Sequence, residues 1–302
     1  MRLAVAATPD VALPTLEWLV GSEHEVVCII TQPDRPSGRG LKNKESSVSV
    51  WAKQRGLAVY KPESSSEMLP IVEGLDLVVT IGYGVILPES ILNVPKHGFI
   101  NLHFSLLPLY RGAAPAQRAL ENGDSETGVT VFRLDRGMDT GPIYFQEKIK
   151  IDTDWRSSDL LNVLATLGVR GIEQSITSIE NSVDPTPQSG TATLAPKITK
   201  AEAKIDFNLP ARNIVQKIKA FTYEPGAWAI FNQEPFKVSR ALVSSHVSDK
   251  PGAISLVADA VVVSCGAGSS IELLEVKPAG KREMSAIEWA RGARLVEGDY
   301  FG

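Results

Sequence analysis

The sequence predicts an α/β protein in two parts. The first is an N-terminal, Rossmann-like, mostly parallel open sheet with helices on both faces; the second is a smaller C-terminal β-barrel of the OB-like kind. Three observations predict this. Arg2–Ala7 and Glu25–Thr31 are apolar runs on either side of the amphipathic segment Ala12–Val20, and such a βαβ opening builds a parallel sheet through a right-handed crossover. Asn181–Thr193 holds two prolines, a glycine and several Ser and Thr residues, a linker composition. From Ala227 the chain becomes a series of short strand-like runs separated by turn residues, the pattern of a small antiparallel barrel. The expected boundaries are 1–182, a linker at 183–203, and 204–302.

Composition bounds the function classes. The 302 residues are 43% apolar and 22% charged, ordinary for a globular chain long enough for about two domains. The two cysteines, Cys28 and Cys265, lie in Val/Ile-rich runs and read as reduced core residues rather than a disulfide framework. Arg2 leads directly into a short strand with no apolar leader, and no 18-residue apolar run exists, so a signal peptide or membrane span is not expected. A net charge of −4 argues against a general nucleic-acid binder. The charge is uneven, however: residues 1–203 carry 19 basic and 24 acidic groups, residues 204–302 carry 12 and 11. A nucleic-acid ligand must therefore meet local basic patches.

In chain order, Thr8-Pro9-Asp10 turns from the first strand into the first helix. Gln32–Ser47 is a polar loop longer than most βα connections. It carries Arg35, Arg39, Lys42 and Lys44 against Asp34 and Glu45, and precedes a helix at Val48–Arg55. Leu57–Tyr60 and Leu75–Tyr83 read as strands, the second ending in Gly82-Tyr83-Gly84, where glycines permit close backbone approach. Thr127–Leu134 and Ile143–Ile151 read as strands, and Ser157 as the cap of a helix from Ser158 to about Glu180, with Leu160, Leu164, Leu167, Ile172, Ile176 and Ile179 near helical spacing. Leu209–Phe221 is a short amphipathic helix. The barrel strands are Ala227–Phe231, Phe236–Ala241, Ala253–Val257, Ala260–Ser264 and Ile271–Val276, followed by a helix at Ser285–Gly292 capped by Ser285. Gly82-Tyr-Gly84 and Gly38-Arg-Gly40 are incomplete glycine patterns in the wrong context for a dinucleotide or P-loop site. His24, His97 and His246 have no partners at metal-ligand spacing, so no metal is expected.

The chemistry centres on Gly98–Gly112. Asn101 and His103 are two residues apart on a strand and so share a face, followed by the tight Ser105-Leu106-Leu107-Pro108 segment and a helical run from Ala113 to Leu120. They sit at the carboxyl end of a strand, where open α/β sheets place ligands. An amide and an imidazole there can both donate to one oxygen, as in an oxyanion hole. Downstream, Gly137-Met138-Asp139-Thr140-Gly141 presents a carboxylate from a tight glycine-flanked loop.

Asn-x-His followed by Ser-Leu-Leu-Pro-x-Tyr-Arg-Gly-Ala-Ala-Pro, then Asp-x-Gly-x-Asp-Thr-Gly, resembles the folate-dependent formyltransferase family. Thr31-Gln-Pro-Asp-Arg-Pro-Ser-Gly-Arg-Gly40 narrows the resemblance to the branch that formylates methionyl-tRNA. It covers the whole chain and is strongest from Thr31 to Gly141. Where the family usually has Gly, position 7 is Ala. The resemblance implies transfer of a formyl group from 10-formyltetrahydrofolate to the α-amino group of initiator methionyl-tRNA, directly and without a metal or nucleotide cofactor, by a cytoplasmic monomer. It implies Asn101 and His103 as donors to the oxyanion and Asp139 as the group that orients His103 and relays protons. It implies Ser105, Leu106, Leu107, Pro108, Gly82 and Tyr83 around the folate, and Arg35, Arg39, Lys42 and Lys44 on the acceptor end of the tRNA. Residues 1–182 would be the catalytic domain and 204–302 a tRNA-binding barrel. Another folate-dependent formyl transfer or hydrolysis, or a non-catalytic tRNA-binding protein on this scaffold, would be the alternatives.

Overall fold

A computed structural model describes residues 1–37, 42–246, 250–296 and 298–302. The chain forms two compact units: Met1–Pro115, Glu126–Lys150 and Leu161–Pro196 make the first, Ala116–Ser125, Ile151–Leu160 and Lys197–Gly302 the second.

The first unit is built on β1 (Arg2–Ala7), α1 (Leu13–Gly21), β2 (Glu25–Ile30), β3 (Arg35–Ser37), β4 (Lys42–Lys44), α2 (Ser47–Gln54), β5 (Val59–Tyr60), α3 (Ser65–Val72), β6 (Leu77–Ile81), α4 (Glu89–Leu92), β7 (Phe99–His103) and β8 (Arg111–Gly112). After α5 (Pro115–Asn122), which belongs to the second unit from Ala116 onward, come β9 (Glu126–Arg133), β10 (Ile143–Lys150), most of α6 (Ser157–Glu180) and β11 (Leu194–Ala195). Seven strands pair in the order β10-β9-β7-β6-β1-β2-β5. The five from β7 to β5 run parallel, and β9 and β10 add antiparallel at one edge. Residues 3–7 of β1 and all of β6 are buried, which is why these runs are continuously apolar and not alternating. Ala4, Ala6, Cys28, Val78 and Phe99 pack with Met68, Val72 and Ile91 in one cluster. Both cysteines are free and buried, and burial pushes each thiol up to about 11.

Three details differ from the sequence reading. Ser64 Oγ accepts from Glu67 N at 3.3 Å and starts α3, a helix with Pro70 inside it that the residue pattern hides. The loop at 32–47 contains the antiparallel pair β3–β4. Ser157 is the first residue of α6 and not its cap: the Asp159 carboxylate accepts from Arg156 N at 2.9 Å, while Ser157 Oγ donates to the Thr222 carbonyl.

The second unit contains α7 (Ala211–Ala220), β12 (Trp228–Phe231), β13 (Glu234–Ser244), β14 (Ile254–Val257), β15 (Ala260–Ser264), β16 (Ser270–Pro278), β17 (Met284–Ser285) and α8 (Ala286–Ala293). Its antiparallel sheet runs β12-β13-β16-β15-β14, with β17 on β16, and β13 bends at irregularities near Arg240, as a closing sheet requires. The last residues pair with both edge strands. Gly302 and Ile230 exchange backbone hydrogen bonds, Ile254 N donates to Asp299 O at 2.9 Å, and Phe301 N donates to Gly252 O at 2.9 Å. That strip closes the barrel and leaves neither edge strand unpaired there. Phe301, Phe207, Phe236 and Trp289 fill the core, with the Phe236 and Trp289 rings 4.5 Å apart. Ser285 caps α8 in a full capping box with Glu288.

Candidate active site

The sheet order reverses between β1 and β6: the chain runs from β1 outward to β2 and β5, then returns to β6 on the other side. Open α/β sheets bind ligands outside the carboxyl ends of strands flanking such a reversal. A cavity of about 360 Å³ lies there, lined by Thr80, Gly82, Tyr83, Asn101, His103 and Asp139 among others.

Asn101 and His103 project from one face of β7. Thr80, on the neighbouring β6, donates its Oγ1 hydrogen to Asn101 Oδ1 at 2.8 Å, with Ile100 O at 3.0 Å also in reach. With Oδ1 so held, the Nδ2 amide is the end of Asn101 left for a ligand. His103 is 5% exposed. Its Nε2 lies 2.9 Å from the Tyr110 carbonyl. A carbonyl only accepts, so Nε2 carries the hydrogen and Nδ1 carries the lone pair. Nδ1 stands 3.7 Å from Asp139 Oδ2, and the edge of the ring meets Phe132. Burial pushes the imidazole pKa below its usual value, against the opposing effects of Asp139 and the Tyr110 bond. The neutral ring therefore offers a base to the carboxylate side, and its one hydrogen is already engaged. The sequence leads one to expect His103 as a second donor beside Asn101; in this arrangement its Nε2 hydrogen is directed at Tyr110 O.

Asp139 adopts the left-handed conformation, φ +54°, uncommon for a residue with a side chain. Its Oδ2 accepts from Gly112 N at 2.7 Å. Asp135, two residues before Gly137, shapes the loop by accepting from Gly137 N and Thr140 Oγ1.

Gly82 and Tyr83 line the cavity. Gly82 has φ +56°, and a Cβ there would lie 2.7 Å from Pro9 Cγ, so this turn requires glycine. Ser105, Leu106, Leu107 and Pro108 are not among the lining residues. Their polar groups are used internally: Ser105 Oγ donates to Leu109 O at 2.6 Å, Thr130 Oγ1 donates to Ser105 O at 2.7 Å, and Gln146 Nε2 donates to Leu107 O at 2.9 Å. The segment is the rigid turn that carries His103 toward Tyr110. The cavity's rim is instead apolar, with Val85, Ile86 and Met138 46%, 84% and 52% exposed. Ala7 ends β1 fully buried and paired with Ile81.

Of the basic residues in the long loop, Arg39 lies outside the described residues, the backbones of Arg35 and Lys42 sit in the β3–β4 pair, and Lys44 is exposed. The loop's acids are satisfied from elsewhere. Lys61 donates to Asp34 at 2.6 Å and to Glu45 at 2.9 Å, and Lys53 also binds Glu45. Hydrogen bonds from the two lysines hold the Glu45 carboxyl down at about 2.

Three features of the site carry no local sequence signal or a faint one. Thr80 is the single polar residue in Leu77–Ile81. Gln188 and Thr193, in the segment read as a linker, bond to the loops that hold Asp139 and Tyr110. Elsewhere, the fold brings Glu23, His24 and Glu180 within 4.8 Å of one another, a grouping that spacing along the chain does not reveal; His24 Nδ1 there faces the N-terminal amine at 3.3 Å.

The formyl transferase family profile matches residues 1–176, and the formyl transferase C-terminal domain profile matches 197–294. Among curated relatives, a methionyl-tRNA formyltransferase of Acidothermus cellulolyticus is 41% identical over 325 aligned positions, covering all of both chains. That of Streptomyces coelicolor is 39% identical over 315, again covering all of both. Among solved structures, a sugar 3N-formyl transferase matches with a TM-score of 0.69 at 20% identity over 93% of this chain and 99% of that one. The methionyl-tRNA formyltransferase of Clostridium thermocellum matches with a TM-score of 0.58 at 16% identity over 91% and 99%. The two profiles in tandem and full-length identity near two residues in five lead to one assignment: the chain belongs to the methionyl-tRNA formyltransferase family.

Proposed function

We propose that this cavity passes a formyl group from 10-formyltetrahydrofolate to the α-amino group of methionyl-tRNA, giving N-formylmethionyl-tRNA for translation initiation. The observation that carries the reading is the convergence of the Asn101 amide, the unprotonated Nδ1 of His103 and the Asp139 carboxylate in one cavity at the carboxyl ends of β6 and β7. The apolar rim at Val85, Ile86 and Met138 suits a flat heteroaromatic donor beside that polar trio.

An aminoacyl amine has a pKa of about 7.7–8.0 or lower beside an ester, so a fair fraction is neutral at pH 7. The greater demand is charge on the formyl oxygen. Asn101 Nδ2 donates to it, an interaction of the kind worth about 3 kcal/mol in a preorganised site. His103 Nδ1 takes the proton that the attacking nitrogen sheds, and Asp139 stabilises the resulting imidazolium. Tyr110 O keeps the ring in the orientation that makes this possible. The charged ring then holds a proton at Nδ1 for return to the departing nitrogen. No Cys or activated Ser lines the cavity among the described residues, consistent with direct transfer.

The basic loop follows β2 at the same sheet edge as His103, where it can meet an acceptor end. The less acidic region after about residue 204 would track the acceptor stem. The reaction would belong to a cytoplasmic monomer; among the described residues, no helix is long and apolar enough to cross a membrane. Formylation of initiator against elongator methionyl-tRNA, with a nucleotide-linked amino sugar as competing acceptor, tests the reading. Formylation of the initiator tRNA is expected; preference for the amino sugar would overturn it.

A further inference from the structure

We propose that Gln188 and Thr193 are positioning residues for the formyl transfer, gripping the two backbone turns that present His103 and Asp139. The inference rests on the function proposed above, and its test is arranged to separate the two.

Both residues lie in a strap, residues 184–196, that falls in the gap between the matched family regions. Its composition is that of a free linker, and most of it is exposed. It is nevertheless bound along its length. Ile143 and Thr186 exchange backbone hydrogen bonds of 2.7 and 2.8 Å. Further on, β11 pairs in parallel with β8, and Ala195 O accepts from Ala113 N at 2.9 Å.

Between these anchors the two side chains act on the site. Gln188 joins two loops. Its Nε2 donates to Asp139 O at 2.9 Å and Gly141 O at 2.8 Å, and its Oε1 accepts from Arg111 Nη2 at 2.7 Å. Thr193 Oγ1 accepts from Tyr110 N at 2.8 Å, while its carbonyl accepts from Arg111 N at 2.8 Å. Tyr110 O is in turn the acceptor for His103.

The conformations at the grip points give this arrangement its meaning. Tyr110 has φ +61° and Asp139 φ +54°. Residues with a Cβ hold the left-handed region only where surrounding structure over-determines it, and such residues cluster at functional sites. In this cavity region, each of the two is bonded at its own backbone by a strap side chain. A third restraint passes through the main chain: β11 fixes Gly112, whose N–H holds the Asp139 carboxylate. Small displacements of reacting groups cost large factors in rate, so removing a grip should act on turnover while leaving the cavity walls intact.

The test uses full-length Gln188→Ala, Thr193→Val and Thr193→Ser. Turnover of Gln188→Ala and Thr193→Val is expected to fall about tenfold, with KM for both substrates within about threefold of the parent. Thr193→Ser, which keeps the hydroxyl, should recover most of the loss. The ring ¹⁵N signals of His103, assigned by comparison with His103→Asn, should shift in Thr193→Val and return in Thr193→Ser. That readout needs no turnover and holds even if the parent fails to formylate methionyl-tRNA, the result that would overturn the function instead. Turnover within twofold of the parent in both deletion variants, or a lower melting temperature with unmoved His103 signals, would overturn the positioning role.

Discussion

The end of β7 and the strap position two halves of one site by opposite means. Strand β7 is buried among apolar neighbours, with Phe99, Ile100 and Leu102 at 2% exposure or less, and is paired on both edges by β6 and β9. Its placement of Asn101 and His103 is backed by the packing of a whole sheet. The strap is mostly exposed and places Tyr110 and Asp139 through a few hydrogen bonds, each worth about 0.5–1.5 kcal/mol. One arm of the site is thus set by the fold and the other by a handful of small, separable terms. Changes on the β7 side should remove chemistry outright, whereas changes on the strap side should detune it.

The largest expected effect breaks the β7 arm itself. Asn101→Ala and His103→Ala should each lower turnover by about 100-fold or more while tRNA binding changes little. Asp139→Asn preserves shape but removes the charge that supports imidazolium, so it should slow the chemical step by a smaller factor with donor affinity retained. Single-turnover rates at saturating donor, set against donor affinity, would check both. Near-parental rates in the alanine variants, or lost donor affinity with intact chemistry in Asp139→Asn, would contradict the assigned roles.

The strap arm can be broken through its backbone. Gly112 has φ +126°, and a Cβ there would stand 2.6 Å from Ala195 O. Both facts penalise Gly112→Ala, by about 1–3 kcal/mol for the conformation alone. The first unit should melt at lower temperature, and turnover should fall further than at the strap side chains, because Gly112 N also holds Asp139. Unchanged melting and turnover would mean that β8 and β11 separate without consequence.

The contrast between the arms also governs what sequence reading reveals. Asn101 and His103 are legible because strand alternation is a two-residue rule, and Asp139 because glycines flank it. The barrel is legible from strand spacing, though its closure is not: that depends on Asp299–Gly302 meeting Ile230 and Ile254, far apart along the chain. The orientation of His103 hangs on a carbonyl presented by Tyr110 from the left-handed region, which no residue pattern announces. Ser105–Pro108 reads as donor-binding by motif, and the bonds that Ser105 O and Leu107 O accept from Thr130 and Gln146 are not visible in that motif. The side-chain partners of Gln188 and Thr193 lie 47 to 83 residues away, so the strap's Pro, Gly, Ser and Thr content gives the local signature of a linker while its bonds are long-range.

Protonation sharpens the comparison at a smaller scale. Burial lowers the pKa of His103 in the folded chain from its ordinary value of about 6.5. The unfolded chain therefore takes up the proton first as pH falls. Stability from the neutral buried ring is fully present above about pH 6.5 and is lost as pH drops toward the lower folded value. The parent should lose more melting temperature between pH 7.5 and 5.5 than His103→Gln, and the His103 ring should titrate below its ordinary value of about 6.5 by NMR. A ring titrating at or above 6.5 would overturn both its buried neutrality and its role as the base.

The smallest effect concerns a region held by neither device, the loop at 32–47. Its four basic residues face two acids in the sequence, but Asp34 and Glu45 are neutralised by Lys61 and Lys53 from outside the loop. The positive charge available to an incoming polyanion is thus larger than the loop's own balance suggests. On an otherwise acidic N-terminal part, phosphate contacts should concentrate there. Arg39 sits between Gly38 and Gly40 in the sequence joining β3 to β4, and a guanidinium can bond phosphate or a base edge in paired fashion where an ammonium cannot. Arg39→Ala should weaken use of methionyl-tRNA several-fold and reduce the logarithmic salt slope by about 0.7–0.9, the release expected for one phosphate contact, with donor binding unchanged. Arg39→Lys should restore the slope but only part of the efficiency. Efficiency against tRNA, followed over a series of salt concentrations for the three proteins, decides the point: equal slopes and equal efficiencies would make Arg39 a solvated residue and move the search for the acceptor contact to Lys44 and its neighbours.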